Sequence, residues 1–322
     1  MNTVYHEIAI EDIRGFTIGQ AEDKEAATGV TVILCGEDGK VCAADIRGGG
    51  PASRENGLLN PLAANDAVHA IVLSGGSAFG LDSAGGVMQY LEERNIGFET
   101  GYGKVPIVVA SCLFDLAVGN AKVRPDAKMG YAACTAAPNF KQGNYGCGTG
   151  ATVGKTRGPE FMMNSGIGAY AVQCGDLKVG AIVGVNAMGD VYDPTDGKKL
   201  AGLLDDNGTL HASSEEELLR TALNPFTGVT NTTIGTILTN GCFNKTEMTK
   251  IAGMAHDGYA RAIRPVHTMY DGDTIYAASS CTVKADINVV GTLAAMVMAK
   301  AIDNAVLHTE SAYGLKCAKD FR

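Results

Sequence analysis

Asn231 and Thr232 could provide a nucleophile that carries its own base, about two-thirds of the way along this chain of 322 residues. A threonine hydroxyl inside a chain is a weak nucleophile, because the residue has no built-in base. At a chain's N-terminus, the threonine's own α-amine, with an ordinary pKa of about 7.7–8.0, can accept the hydroxyl proton at neutral pH. Cleavage of the Asn231–Thr232 bond would therefore activate Thr232. The plainer interpretation is the start of a β-strand over 232–239, since threonine favours strands and asparagine favours turns.

A second candidate for chemistry is the aspartate pair Asp271 and Asp273, which flank Gly272. Residues i and i+2 of an extended segment share a face, so both carboxylates could reach one site. Their mutual repulsion would separate their pKa values and let one orient a group while the other holds or relays a proton. A polar β-turn is the competing interpretation, because Asp-Gly is a common turn pair.

Two glycine-rich segments have spacings that disfavour nucleotide binding. A phosphate-binding loop needs four residues between its glycines, but Gly154 follows Gly150 after three and Gly148 after five. The strand–glycine–helix unit over 73–81 could hold an anion at a helix N-terminus, although a tight structural turn is the favoured interpretation.

Histidines and cysteines give little sign of a metal site. His256 with His267 is a candidate ligand pair, set against capping or structural roles. The nine cysteines contain no Cys-x-x-Cys pair, so we expect buried free thiols in a reducing compartment.

Composition indicates a globular protein and argues against two classes of partner. The chain is 46% hydrophobic and 19% charged, and its net charge of −9 gives no attraction to nucleic acid or to an anionic membrane. The N-terminus does not resemble a secretory signal, and the longest apolar run, 289–299, is about half of a membrane-spanning helix. We therefore expect a cytoplasmic protein with no membrane or nucleic-acid partner.

Predicted strands alternate with predicted helices, which indicates a layered α/β or α+β sandwich. The turn residues 37–39 predict a hairpin between strands 29–35 and 40–46, and the polar stretch 190–214 is the best candidate for a linker. The other predicted strands are 67–73, 105–110, 177–185, 232–239 and 274–279, and the predicted helices are 81–94, 215–222, 245–262 and 289–306.

Seven ordered motifs resemble the family of self-processing aminopeptidases that includes L-aminopeptidase/D-esterases, β-peptidyl aminopeptidases and nylon-oligomer (6-aminohexanoate-oligomer) hydrolases. The resemblance covers nearly the whole chain, and the order of the motifs makes it far more specific than any one of them. The motifs lie at Asp45–Glu55, Leu73–Leu81, Gly148–Lys155, Val185–Asp190, Asn231–Gly235, His256–Ile263 and His267–Thr274.

The resemblance implies one α+β domain over 1–322, folded as a four-layer αββα sandwich like the N-terminal-nucleophile hydrolases. It also implies self-cleavage between Asn231 and Thr232 into chains 1–231 and 232–322. Thr232 becomes the nucleophile on this basis, whereas its chemistry alone would fit Thr233 equally well.

The remaining site residues are likewise assigned by the resemblance. The Asn186 amide is expected to donate to a developing oxyanion, and Lys155 to keep the Thr232 amine neutral and basic. Asp271 and Asp273 are expected to orient the amine and the hydroxyl. The chain departs from the pattern at Phe114, where characterised aminopeptidases carry a tyrosine hydroxyl near the nucleophile. Phenylalanine packs in the substrate pocket but donates no hydrogen bond, so we expect weaker activity or a different substrate.

The implied activity is hydrolysis of amide bonds next to a free N-terminal amino acid, in small peptides, amino-acid amides, β-peptides or aminohexanoate oligomers. No metal or organic cofactor is required, and a homo-oligomer, by resemblance a tetramer, is expected. Three alternatives stay open: an acyl-transferring enzyme of similar fold, an uncleaved non-enzymatic homologue, and a nucleotide-binding protein that uses residues 148–156.

Self-cleavage can be tested on a denaturing gel of the purified protein. Scaled by length from 33.3 kDa, the two pieces should have masses of about 24 and about 9.4 kDa. N-terminal sequencing of the smaller piece should read Thr-Thr-Ile-Gly. A single band of full length after days at neutral pH would contradict the prediction.

Overall fold

Two β-sheets lie face to face between two pairs of helices in the computed structural model, which describes residues 4–222 and 231–322. The strands are β1 (His6–Ile8), β2 (Thr17–Asp23), β3 (Thr28–Leu34), β4 (Lys40–Ile46), β5 (Ala52–Arg54), β6 (Ala67–Val68), β7 (Ala70–Ser74), β8 (Phe98–Glu99), β9 (Lys104–Val105), β10 (Val108–Cys112), β11 (Thr152–Val153), β12 (Met163–Asn164), β13 (Ile167–Cys174), β14 (Leu177–Asn186), β15 (Asp190–Tyr192), β16 (Lys199–Ala201), β17 (Thr232–Gly241), β18 (Ile263–Arg264) and β19 (Thr274–Val283). The α-helices are α1 (Ser83–Glu92), α2 (Ala127–Ala136), α3 (Ser214–Arg220), α4 (Lys245–Ala262) and α5 (Ile287–Leu307).

Four layers result from the order of these elements. One sheet has the strand order β1-β13-β14-β17-β19-β4-β6 and carries α4 and α5 on its outer face. The other has the order β2-β3-β7-β10-β5 and carries α1 and α2. Separate apolar cores fill the space between the two sheets and between each sheet and its helices. The αββα sandwich expected from the sequence is therefore confirmed.

Strand β14, at the centre of the larger sheet, is buried on both faces, which explains its nearly continuous apolar sequence. In β14, Val179 and Val183 belong to the core beneath α4 and α5, whereas Ile182 belongs to the core between the sheets. Glycine allows α5 to pack closely against this sheet, because a Cβ on Gly168 of β13 would lie 2.1 Å from the carbonyl oxygen of Ala301 in α5.

The strongest sequence patterns predicted their elements well. Strand β4 and helix α4 have the predicted bounds, and Asn244 with Glu247 forms a capping box at the start of α4. Strand β17 runs two residues beyond its prediction, to Gly241, and β19 extends to Val283. Helix α2 and strand β13 were missed.

Two local predictions were wrong. Strands β3 and β4 do not form a hairpin: β3 pairs with β2 and β7 in one sheet, whereas β4 pairs with β19 and β6 in the other. The turn at 37–39 therefore passes the chain from one sheet to the other. The stretch 190–214 is not a linker, because it forms β15 and β16 around a buried carboxylate. Asp190 accepts hydrogen bonds from the backbone N–H groups of Leu203 and Ser214 at 2.7 and 2.8 Å.

The expectation for the cysteines was correct in part. Cys242, directly after β17, and Cys281, within β19, are joined in a disulfide that the sequence did not predict. In the described ranges, 4–222 and 231–322, seven cysteines are free and all but Cys174 are buried.

Helix α5 agrees with the predicted helix 289–306 to within two residues at each end, and it is longer than the apolar run 289–299. By length and composition it could cross a membrane, but 72% of its most apolar window is buried within this protein. Its role in the fold is that of a core helix, packed against β13, β14 and α4.

Candidate active site

Three neighbouring strands bring the predicted site residues together. Thr232 is the first residue of β17, and Asn186, the last of β14, is its partner in the antiparallel ladder. On the other side of β17, Asp271 forms a parallel bridge with Asn231, and Asp273 directly precedes β19. Lys155 and Phe114 both contact Asn186, so all the residues predicted for the site lie in one cluster.

The peptide bond between Asn231 and Thr232 is held on both sides. The Asn231 N–H donates to the carbonyl of Tyr270 at 2.9 Å, and the Gly272 N–H donates to the Asn231 carbonyl at 3.0 Å. The Thr232 hydroxyl donates to the same carbonyl oxygen of Asn231. The nucleophile candidate therefore touches the carbonyl group that it would attack, and a backbone donor already polarises that group.

Gly272 is needed for this close approach. A Cβ at this position would lie 2.8 Å from Thr232 Oγ1 and 3.0 Å from the Gly50 carbonyl oxygen. The second contact comes from the loop 47–50, which lies behind the aspartate pair. The Arg47 N–H donates to the Asp273 carbonyl at 3.0 Å, and the Gly50 N–H donates to the Asp271 carbonyl at 2.9 Å. This packing explains why the glycine-rich motif that begins at Asp45 accompanies the site.

The two carboxylates have different partners. Asp273 Oδ1 accepts from the Thr233 N–H at 2.8 Å, one residue beyond the nucleophile candidate. Asp271 Oδ2 accepts from the N–H and the hydroxyl of Thr268, at 2.9 and 2.6 Å. Burial, and then the neighbouring Asp273, raise the pKa of Asp271 to about 6. Within the described residues, no hydrogen bond joins either carboxylate to Thr232, so the expected direct orientation is absent from the uncleaved chain.

Lys155 is a buried amine bound to Asn186. Its Nζ donates to Asn186 Oδ1 at 2.7 Å and to the Asn186 carbonyl at 3.1 Å. Burial lowers the pKa of Lys155 to about 7, although Asp271 and then Asp115 oppose the shift. The expected cation is therefore only partly charged at neutral pH, and its neutral form can accept a proton.

The Asn186 amide is oriented by three neighbours. Its Oδ1 accepts from Lys155 and from the Thr152 N–H, and its Nδ2 donates to the carbonyl of Phe114 at 2.8 Å. This amide faces the nucleophile candidate across the ladder. Phe114 thus contributes its backbone to the site, and its side chain is half-buried.

Asp115 is a site residue that sequence reasoning missed. It accepts from the Thr28 hydroxyl at 2.6 Å and from the Gly76 N–H at 2.7 Å, and burial raises its pKa to about 6. A Cβ on Gly75 would lie 2.0 Å from Asp115 Oδ2. The carboxylate therefore occupies the glycine turn that the sequence analysis considered for an anion, and only its position next to Phe114 could have indicated this.

The other segments considered for ligand binding have structural roles. Residues 146–148 form a 3₁₀ turn and β11 follows at Thr152–Val153, so the glycine segment there leads into a buried strand. A phosphate-binding loop would instead open a helix. In the described parts of the chain, no group of three or more His, Cys, Asp and Glu side chains is placed to hold a metal. The His256 and His267 rings lie edge to face, with centroids 4.7 Å apart.

Comparison with known proteins identifies the family of this chain. Residues 9–319 match peptidase family S58. The chain belongs to that family. It is 37% identical to an uncharacterized aminopeptidase of Mycobacterium leprae, over 95% of this chain and 92% of the relative. It is 32% identical to a 6-aminohexanoate-oligomer endohydrolase of a Kocuria species, over 84% of this chain and 74% of the relative.

A solved structure identifies the type of fold. The L-aminopeptidase D-Ala-esterase/amidase of Ochrobactrum anthropi, described as a variant of the Ntn-hydrolase fold, has a TM-score of 0.69 at 16% identity, over 94% of this chain and 86% of that one. The family resemblance drawn from seven motifs is confirmed. This S58 protein is a hydrolase of the aminopeptidase and amide-hydrolase type with an Ntn-hydrolase fold.

Substitution of each aspartate by asparagine should distinguish the roles of Asp271 and Asp273 in this S58 site. In Asp271→Asn, the new side chain can keep an oxygen on both Thr268 donors, so the free energy of unfolding should change by less than about 1 kcal/mol. In Asp273→Asn, the new side chain must turn its NH₂ toward a backbone N–H, which should cost about 1–3 kcal/mol. Both substitutions should lower the rate of amide hydrolysis about 100-fold. Denaturant unfolding and steady-state kinetics measure the two effects, and near-native rates in both variants would leave the pair as a structural turn.

Proposed function

We propose that this protein is a self-processing N-terminal-threonine hydrolase that cuts its own Asn231–Thr232 bond and then cleaves amide bonds beside a free amino terminus. One observation carries the proposal. The Thr232 hydroxyl and the Gly272 N–H both contact the carbonyl oxygen of Asn231, so the attacking group and a donor for the developing oxyanion are in place before any cleavage.

In the first stage, the Thr232 oxygen bonds to the Asn231 carbonyl carbon. The hydroxyl proton leaves, the carbon–nitrogen bond breaks, and the Thr232 nitrogen takes up a proton as it becomes an amine. Water then hydrolyses the resulting ester to the Asn231 carboxylate and the free hydroxyl of Thr232. The Gly272 N–H stabilises the negative charge that develops on the Asn231 oxygen.

The uncleaved chain has no free amine at Thr232, so the first stage needs another base. Lys155 fits this role, because its pKa of about 7 leaves a substantial neutral fraction and because it is bound to Asn186, the ladder partner of Thr232. The proton that it accepts can return to the leaving nitrogen, so one group serves as base and then as acid.

Contacts of the neighbouring Thr233 support Thr232 as the nucleophile. Successive strand residues point to opposite faces, so the Thr233 side chain points away from the scissile carbonyl. Its backbone is tied down as well: the Thr233 N–H donates to Asp273, and the Tyr259 hydroxyl donates to the Thr233 carbonyl at 3.2 Å.

In the second stage, the free α-amine of Thr232 replaces Lys155 as the base for the hydroxyl. The substrate carbonyl takes the place that Asn231 vacates, and Asn186 stands opposite the nucleophile as an oxyanion donor. Asp271 would be mostly ionised at neutral pH, with its pKa of about 6, and could hold the substrate's ammonium group. By analogy with relatives, the substrates are amino-acid amides, β-peptides or 6-aminohexanoate oligomers, and no metal or organic cofactor takes part.

Variants of the two threonines test the assignment of the nucleophile. Thr232→Ala removes the hydroxyl and should abolish both self-cleavage and hydrolysis, whereas Thr232→Ser should keep measurable cleavage. Thr233→Ala is the matched control and should cleave at close to the normal rate. Band intensities on a denaturing gel over time give the cleavage rates. Cleavage by Thr232→Ala together with a dead Thr233→Ala would move the nucleophile by one residue.

The rate of self-cleavage should depend on the charge of Lys155. Only its neutral form accepts a proton, so the rate should rise between pH 6 and pH 8 with a midpoint near the pKa of about 7. Lys155→Arg keeps a cation that does not deprotonate in this range, and it should cleave at least about 100-fold more slowly at pH 8. Time courses quenched at intervals across the pH series measure the rate of self-cleavage. A rate independent of pH would contradict Lys155 as the base.

A further inference from the structure

His267 lies behind the aspartate pair, and two of its N–H groups donate hydrogen bonds to the carboxylate of Asp273. Its backbone N–H donates to Asp273 Oδ2 at 3.1 Å, and its ring Nδ1 lies 2.8 Å from the same oxygen. We infer that His267 is a positioning residue for the nucleophile, acting through Asp273 and Thr233. The inference rests on the proposed role of Thr232.

The contacts form a continuous path from His267 to the reacting group. Asp273 is 1% exposed and presents one oxygen to His267 and the other to the Thr233 N–H, at 2.8 Å. Thr233 is bonded directly to Thr232. A shift of the Asp273 carboxylate would therefore move the start of β17, and displacements of about 1 Å can lower reaction rates about 100-fold.

The local backbone at His267 is built for this double contact. Its φ of 58° lies in the left-handed region, which is uncommon for a residue other than glycine. This conformation lets the backbone N–H and the ring of one residue reach the same carboxylate oxygen. Strained backbone of this kind persists only when the surrounding structure holds it, and it is concentrated at functional sites.

Helix α4 holds the His267 ring from the other side. The Tyr259 ring is stacked on it, with centroids 5.9 Å apart and planes at 29°, and the His256 ring meets it edge-on. Tyr259 also donates to the Thr233 carbonyl. Thr233 is thus held at its N–H through His267 and Asp273 and at its carbonyl through Tyr259, two routes that meet in one ring stack.

The ring atom that matters is Nδ1, which makes the contact specific enough to test. With Nδ1–H donating to Asp273, a shorter donor placed at that atom should substitute for the imidazole. The amide nitrogen of asparagine can occupy the Nδ1 position, whereas the amide of glutamine extends toward the Nε2 position. His267→Asn should therefore keep the side-chain hydrogen bond to Asp273, and His267→Gln and His267→Leu should lose it.

The experiment compares self-cleavage rates and steady-state kinetics on an amino-acid p-nitroanilide for the full-length variants. His267→Leu and His267→Gln should slow self-cleavage and lower kcat by about 10- to 100-fold with KM within about threefold of normal. His267→Asn should recover to within about threefold of the normal rates. Equal rates for the His267→Asn and His267→Gln variants, or normal rates for His267→Leu, would overturn the inference. The comparison of the two amide variants stands even if His267→Leu does not fold.

Two controls separate this inference from the proposed function. His211→Leu replaces an exposed histidine outside the ring stack and should leave kcat within about threefold of normal. Thr232→Ala reports on the nucleophile alone. If Thr232→Ala is inactive while every His267 variant is normal, the proposed function stands and the positioning role fails. If Thr232→Ala still cleaves itself, the proposed function fails first.

Discussion

The close approach of residues 271–273 to residues 231–233 is the constraint on which the site depends. Strand β17 enters the sheet beside this loop, and the Gly272 N–H reaches the Asn231 carbonyl because no side chain intervenes. A Cβ there would collide with the Thr232 hydroxyl. The second glycine-rich loop, 47–50, supports the arrangement from behind through hydrogen bonds to the same two aspartates. The position of the nucleophile candidate is therefore set by backbone contacts.

The shifted pKa values of the site residues result from burial that opposite charges only partly offset. Lys155, Asp115 and Asp271 are all removed from water, which lowers the pKa of the lysine and raises the pKa values of the carboxyl groups. Their mutual attraction opposes these shifts only in part. The three pKa values consequently lie between about 6 and about 7, where a group can both take and release a proton under physiological conditions. A fully solvated lysine would stay charged and could not act as a base.

Local sequence patterns predicted an element well where the element buries a single face and its ends carry capping residues. Helix α4 has a capping box and an apolar stripe, and its bounds agreed with the prediction. Patterns failed where the partner is distant in the chain. Strands β3 and β4 carry the signals of a hairpin, yet each finds its partners in a different sheet. Ile33 of β3 and Cys42 of β4 then pack in the core between the two sheets. The stretch around Asp190 is as polar as a linker, but its polar groups satisfy one another in the interior.

The sequence by itself determined the family and the layered fold, and it identified the candidate site residues. Seven motifs in order were sufficient for this. The tertiary structure alone decided which atoms meet: that Asp273 accepts from the Thr233 N–H instead of contacting Thr232, that Asp115 fills the glycine turn, and that His267 contacts Asp273. The hydrogen bonds from Thr233 to Asp273 and from Thr28 to Asp115 join residues 40 and 87 positions apart. Such bonds depend on how strands are ordered in a sheet, and residue spacing along the chain does not encode that order.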